Sequence, residues 1–391
     1  MRDGWKKTTL GDIAEYINGY PFKPSDLGGE GTAVIRIKQL LDPMEKVDRT
    51  TVDVPERCVL SNGDIVFSWS GTLAVRVWNR GTALLNQHLF RVVEKSGVSH
   101  EWLPLVIDHA IDDLVEKSHG TTMKHITKQT LLPHQVFLPP LVEQKRIVDV
   151  VASVDDYIGA LQQQADMART ARDAVLHELL SAGGDDWTET TLGKTLEIAR
   201  GGSPRPIRDF ITTADDGINW IKIGDATASS KYIYHTEQKI RPEGATRSRV
   251  VKSGDFILSN SMSFGRPYIM RSDGCIHDGW LLFSKVDKYF DEDFLYNLLL
   301  SDLVQKQFDS LAAGSGVRNL NIEVVKEVII PLPSLSTQKR IAQIANSMDD
   351  VIQSTEQAVV EAKNLRSGLL SDLLSGEHEI PASYDSLLGA A

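Results

Sequence analysis

Two stretches of the chain carry an apolar stripe too long for an ordinary globular helix. From about Val142 to Ser181 there is no proline. Apolar residues recur there at alternating steps of four and three: Ile147, Val151, Val154, Ile158, Leu161, Ala165, Ala168, then Arg172, Val175 and Leu179. A second stripe runs through Ile341, Ala345, Met348, Ile352, Thr355, Val359, Ala362, then Arg366, Leu369 and Leu373. The mean step of about 3.5 residues, held for about four heptads, is the period of a coiled-coil seam. A helix of roughly 40 residues at about 1.5 Å per residue is about 60 Å long. Arginine interrupts each stripe at an equivalent place, Arg172 and Arg366. Two readings are open for it: a polar seam residue that fixes register, or an apolar stem that snorkels its charged head to water.

Before each stripe lie shorter runs with strand character, separated by turn signals. They are Ala33–Ile37, Ile65–Trp69, Leu73–Trp78 and Leu89–Val93 in the first half. The second half has Trp220–Ile223, Phe256–Ser259, Pro267–Met270 and Trp280–Val286. Gly63-Asp64 and Gly254-Asp255 read as turns leading into strands. Helical periodicity covers Leu103–Leu114 and Phe294–Phe308, so each half is α+β. Gln135–Leu138 and Val328–Ile330 read as terminal strands, and the prolines after them impose an extended approach to each long helix. Trp5 and Trp187 are expected to anchor the start of each half to its core.

These parallels are a duplication. LPPLVEQKRI at Leu138–Ile147 returns as LPSLSTQKRI at Leu332–Ile341, 194 residues later. Asp155-Asp156 returns as Asp349-Asp350 and Leu179-Leu180-Ser181 as Leu373-Leu374-Ser375, at the same interval. GTTMKHIT at Gly120–Thr127 answers GSGVRNLN at Gly314–Asn321. Further upstream the interval shrinks to 191 at Gly63/Gly254 and to 182 at the TTLG of Thr8–Gly11 and Thr190–Gly193, as loop insertions require. A period this long is domain duplication, because each copy is large enough to hold its own core.

The expected organisation is a globular unit over 1–140, a helix over 141–182, a second unit over 183–334, a second helix over 335–376 and a tail over 377–391. The two helices can pair with each other or with those of another chain; pairing within the chain, which leaves one helix, builds a unit and returns along the other, is antiparallel and gives a dumbbell. Ala165, Ala168 and Ala362 allow close approach near the middle. The glycines of SAGGDDW, Ser181–Trp187, stop the first helix.

Composition changes this picture little. The 391 residues are 41% hydrophobic and 24% charged, with 15 prolines and two distant cysteines, Cys58 and Cys275. That usage fits a reducing compartment. The start of the chain lacks a signal-peptide core and no apolar run reaches membrane-spanning length, so a cytoplasmic location is expected. The formal net charge of −11 confines any nucleic-acid face to a local patch, since phosphates require local positive charge.

The best such patch lies in ARGGSPRPIRDF, Ala199–Phe210, where Arg200, Ser203, Arg205 and Arg208 flank a glycine–proline turn suited to phosphates or base edges. Lys239, Arg241, Arg247, Arg249 and Lys252 extend it. The first half has a thinner counterpart, NGYPFKPSD, with Lys23. The loop pair adds Lys124, His125, Arg318 and Asn319, with Met123, Ile126, Val317 and Leu320 alternating inward. A solvated loop is the competing reading of each cluster.

Catalytic signatures are missing. GKT at Gly193–Thr195 lacks the preceding phosphate-loop glycine, Thr188 standing in its place. There is no G-x-G-x-x-G after a strand, no HExxH among ten histidines and no G-x-S-x-G.

The repeat, the LPPLVEQKRI and LPSLSTQKRI helix starts, the LL-S helix ends and the GGSP turn together resemble the specificity subunit of Type I restriction–modification systems, across essentially the whole chain. The resemblance implies an α+β chain of two pseudo-repeated target-recognition domains separated by a long antiparallel two-helix coiled coil. It implies that each domain reads half of a bipartite double-stranded DNA site and that the helices set the spacer and dock two methyltransferase subunits. Restriction subunits then join. S-adenosylmethionine, ATP and Mg would reside in those partners, with no cofactor, metal or catalytic residue in this chain. NGYPFKPSD stands where the second half has GGSP, and Thr337 stands where the first has Glu143. The runner-up reading is a coiled-coil adaptor holding two protein ligands apart.

Overall fold

The computed structural model describes residues 4–117, 125–226, 231–260, 264–312 and 320–385. The chain forms two compact units. The first comprises Met1–Leu161 with Ala358–Ala391, and the second comprises Gln162–Gln357. Each unit therefore combines a globular part with a portion of both long helices.

In the first unit, Lys6–Thr9 pairs antiparallel with Gln135–Leu138, tying the start of the globular part to its end. A four-stranded antiparallel sheet runs in the order Ala14–Asn18, Leu89–Glu94, Ile65–Ser68, Ala74–Val77. All four residues of Ile65–Ser68 are buried, as expected of a strand covered on both faces. A second sheet runs Asp48–Thr50, Thr32–Ile35, Ala83–Leu85, Val59–Leu60. The helix Trp102–Lys117 buries Leu103, Val106, Ile107, Ala110 and Leu114, spaced three and four apart on one face. Trp5 lies in this core.

The second unit repeats the plan with five-stranded sheets. Thr188–Thr191 pairs with Ile329–Leu332. One sheet runs Glu197–Arg200, Trp280–Ser284, Phe256–Ser259, Pro267–Met270, Tyr232–Ile233; the other runs Ile211–Thr212, Gln238–Ile240, Ile218–Ile221, Gly274–Ile276, Arg249–Val251. Gly63 and Gly254 adopt φ of +97° and +93°, the left-handed region open to glycine. The following Asp64 and Asp255 close each turn by accepting from Ser61 N and Lys252 N at 2.7 and 2.8 Å. The single helix expected over Phe294–Phe308 is two, Glu292–Leu300 and Asp302–Ala312. Ser301 between them is extended, and its carbonyl accepts from Val304 N and Gln305 N, so apolar periodicity continues across a break it does not reveal.

The long helices span Leu141–Ser181 and Leu335–Ser375, 41 residues each. Gln144 and Gln338 explain the repeated QKRI. Gln144 is fully buried; its amide donates to Gly97 O and Pro139 O at 2.9 Å, and its oxygen accepts from Ser99 N at 2.6 Å. Gln338 does the same with Tyr289 O, Pro333 O and Asp291 N. One side chain thus satisfies three main-chain groups, and replacing it leaves them orphaned at about 1–3 kcal/mol each where buried.

Within each unit the two helices run antiparallel. In the first, Ile158, Val359 and Ala362 form a small core flanked by Val154 and Leu161, and Asp155 meets Arg366 through Nε and, at 2.9 Å, Nη2. In the second, Ala165, Ile352 and Thr355 are buried, Met348 and Ala168 half-buried, and Arg172 meets Asp349 at 2.7 Å. The two ion pairs are the same pair, 194 residues apart, with the helices exchanging roles. The snorkelling reading of the seam arginines is therefore corrected: only 13% of the Arg172 side chain is exposed, and it also donates to Asn297 Oδ1 at 2.6 Å. Arginine forms such forked, charge-assisted pairs better than water-facing contacts require.

The outer ends of the stripes are also corrected. Ile147 and Val151 belong to the first globular core and Ile341 to the second. Leu176, Leu180 and Leu370 are buried there, whereas Val175, Leu179 and Leu369 are only half-buried. At those ends the neighbour is a sheet-and-helix core, so the helix follows its own 3.6-residue period and the buried stripe drifts by one position.

Candidate nucleic-acid interface

In the second unit the strand Glu197–Arg200 runs into the GGSP turn, which is pinned at two points. Gly201 N donates to Trp280 O at 2.9 Å, and Gly202 N to Ile276 O at 3.1 Å. A Cβ at Gly201 would lie 1.9 Å from His277 O, so only glycine permits this close approach. The turn brings Ser203 and Arg205 onto Asp278. Ser203 Oγ donates to Oδ1 at 2.8 Å and Arg205 Nη2 reaches Oδ2 at 3.4 Å. Arg200 Nε donates to the Asp278 carbonyl at 3.1 Å, shared with Asn260 Nδ2 at 2.9 Å. Arg249 Nε donates to Arg200 O at 3.3 Å. The Arg247 carbonyl lies 3.3 Å from where a Gly202 side chain would start, and its guanidinium sits over Phe210. Arg208 stands apart, 86% exposed, near Asp209.

The first unit builds the same frame from other side chains. Gly19 N donates to Leu89 O at 3.1 Å and Tyr20 N to Leu85 O at 2.8 Å. A Gly19 Cβ would lie 2.3 Å from Asn86 O. NGYP is thus the structural equivalent of RGGSP. The arriving loop is pinned alike in both: Ile126 N donates to Trp69 O at 2.9 Å, and Leu320 N to Asn260 O at 3.1 Å, with Ile126 and Leu320 buried as the alternation predicts. The chemistry presented is aromatic. Trp69 stacks on Phe90 at 5.6 Å and takes the exposed His125 edge-on at 4.4 Å. His88 lies 5.8 Å from Trp69, its Nδ1 3.4 Å from Ser70 Oγ. Lys23 is exposed beyond the turn, its backbone N–H held by Asp26 at 2.7 Å.

Arg200, Ser203, Arg205 and Arg249 are therefore brought together, with Arg247 beside them and Arg208 farther along the turn. Lys124, Arg318, Asn319, Met123 and Val317 lie outside the described residues. Sequence reasoning missed Asp278, Asn260 and His277, and Trp69 and His88 in the first unit. The interval of 191 residues already aligned 86–89 with 277–280 around the buried Leu89 and Trp280. The shared job of Asn86 and His277 follows from it: Asn86 Oδ1 accepts from His88 N at 3.3 Å, and His277 Nδ1 accepts from Gly279 N at 2.8 Å.

The electrostatics follow from these contacts. The Ser203 hydroxyl, aided by the Arg205 charge, holds the Asp278 carboxyl below the usual carboxylate range despite partial burial, so it is charged beside the arginines. Burial pushes His277 below the usual imidazole range. Among the described residues no group of three histidine, cysteine, aspartate or glutamate side chains is arranged to hold a metal ion, and no helix is long and apolar enough to cross a membrane.

The two units thus carry one α+β frame furnished with different side chains, each frame followed by a long helix. The profile of the Type I restriction modification DNA specificity domain matches the chain twice, over residues 2–166 and 184–363, and the chain belongs to that family. It is similar to the specificity subunit of the Type I restriction enzyme MjaVIII from Methanocaldococcus jannaschii, 20% identical over 96% of this chain and 93% of that one. It is also similar to the EcoBI specificity subunit from Escherichia coli, 24% identical over 96% and 87%. A chain solved in work on complex assembly and conformational transition of the type I R-M system shares the fold, with a TM-score of 0.70 at 17% identity over 97% of this chain and 99% of that one.

Proposed function

We propose that this protein is the DNA sequence-recognition subunit of a Type I restriction–modification complex. Each globular part reads one half of a bipartite double-stranded target, and the paired helices set the spacer and dock two methyltransferase subunits. The observation that carries this reading is the doubled frame within a family of DNA specificity domains: the same pinned glycine turn and loop, furnished with different side chains. One backbone frame bearing two unlike surfaces suits two different half-sites better than it suits an adaptor gripping two protein ligands.

Exposed apolar side chains on the long helices support the docking role. Tyr157 and Val351, at equivalent positions, are 58% and 52% exposed, and Met167 and Leu365 are also exposed. A methyltransferase subunit docked along these helices would cover such side chains, as apolar residues are covered at the core of an interface. The chain performs no catalysis in this reading; S-adenosylmethionine, ATP and Mg act in the methyltransferase and restriction subunits.

The test is to co-express the chain with its candidate methyltransferase and map methylated sites by single-molecule sequencing. A bipartite motif with a fixed gap, present only with this chain, is the expected result. Methylation unchanged by the chain, with a purified complex indifferent to DNA, would return the adaptor reading.

A further inference from the structure

Two positions of the shared frame carry arginine only in the second unit. Arg200 corresponds to Asn18, and Arg249 to Cys58. The equivalence is exact in hydrogen bonding as well as in register: the Cys58 thiol lies 3.6 Å from Asn18 O, as Arg249 Nε donates to Arg200 O. The strands that carry them match too, Val59 pairing with Leu84 and Val250 with Cys275.

Both arginines are held in the same way. Arg200 is tethered through Nε to Asp278 O, and Arg249 through Nε to Arg200 O. Among the described residues, the terminal nitrogens of neither guanidinium have a hydrogen-bond partner, and both residues are exposed. An Nε tether fixes the plane of the guanidinium and leaves its outer fork facing solvent. Such a fork fits two acceptors side by side. On duplex DNA that pattern is the N7 and O6 edge of guanine in the major groove, or two oxygens of a phosphate.

The neighbourhood favours the base. Asp278 sits among the arginines as a charged carboxylate, its oxygens engaged by Ser203 and Arg205. The carboxylate reduces the net positive charge that a phosphate would require, while a guanine edge carries no net charge to be balanced. Arg249 also lies on an edge strand, Arg249–Val251, at the rim of its sheet, where a side chain can reach into a groove.

We infer that Arg200 and Arg249 are specificity-determining residues that read guanines in the half-site bound by the second unit, with Asp278 positioning the arginine cluster and lowering its net charge. This rests on the DNA-recognition reading above. The first unit, with Asn18 and Cys58 in those places, has no such pair of forks.

The test uses the full-length chain in complex with its methyltransferase subunits. Random duplex DNA is selected for binding, the bound fraction is sequenced, and affinity is measured against salt. The variants are Arg200→Lys and Arg249→Lys, which keep the charge but lose the fork, and Arg200→Asn, which installs the residue of the first unit. Thermal unfolding of each confirms that it folds. The expected result is loss of guanine preference, by about tenfold to a hundredfold, at positions in one half-site only, with the lysine variants keeping the wild-type salt slope. If the lysine variants retain the full sequence preference, or the Asn variant weakens all sequences alike with a shallower salt slope, the arginines hold phosphate and the inference falls while the DNA reading stands. If the wild-type complex selects no sequence, the DNA reading fails and this inference with it.

Discussion

At the residue scale, the side chains that matter most are those that satisfy backbone groups, and these are hardest to see in a sequence. Asn86 and His277 look unrelated, yet each presents an acceptor to the N–H two residues on. Asparagine does so at any pH; histidine does so only while Nδ1 is unprotonated. Burial lowers the His277 pKa, offset in part by the Asp278 carboxylate 3.9 Å away. The unfolded chain takes up its proton near the ordinary value of about 6.5. Below that pH the unfolded state binds more protons than the folded one, so stability falls as the solution is acidified and is fully present above it. His277→Asn, which copies the first unit, is expected to reduce the drop in unfolding midpoint between pH 7.5 and 5.5. An unchanged drop would mean that other groups cause it.

At the scale of elements, the long helices were legible because their signals are local: no proline, a sustained heptad stripe, glycine at the ends. The seam arginines were visible as well, but not their purpose. Asp155 and Asp349 stand out in the sequence as repeat landmarks, and only the antiparallel register places them opposite Arg366 and Arg172. In the second unit the pair is part of a larger network: Asn297 receives Arg172, and the Asp293 carboxylate accepts from Lys231 at 2.6 Å and Asn346 at 2.7 Å. Arg172→Asp is expected to destabilise the second unit, since it sets two carboxylates face to face. Adding Asp349→Arg should restore about 1 kcal/mol of the loss, the scale of a half-exposed charge-assisted pair. Urea denaturation of the single and double variants measures this; no recovery in the double variant would show that Asn297, rather than Asp349, is the partner that counts.

For the whole molecule, duplication explains why one sequence builds two units with the same frame. The two copies have kept what the backbone requires, Gly19 and Gly201, Gln144 and Gln338, Gly63 and Gly254, and have diverged where the frame faces outward. If the helices set the spacer, removing one heptad from both shortens each by about 10 Å, the rise of roughly three base pairs. Methylated motifs mapped in that variant are expected to keep both half-sites and lose about three base pairs of gap. Altered half-sites with an unchanged gap would rule out the ruler. The sequence alone determined the duplication, the α+β content and the long helices, because repeats, turns and periodicity are written in neighbouring residues. Tertiary structure alone decided that NGYP and RGGSP are pinned by the same backbone hydrogen bonds, that Asp278 gathers the arginines, and that the Cys58 thiol approaches Asn18 O as Arg249 Nε approaches Arg200 O. Those facts depend on hydrogen bonds between residues up to 79 apart in the chain, and no local pattern encodes them.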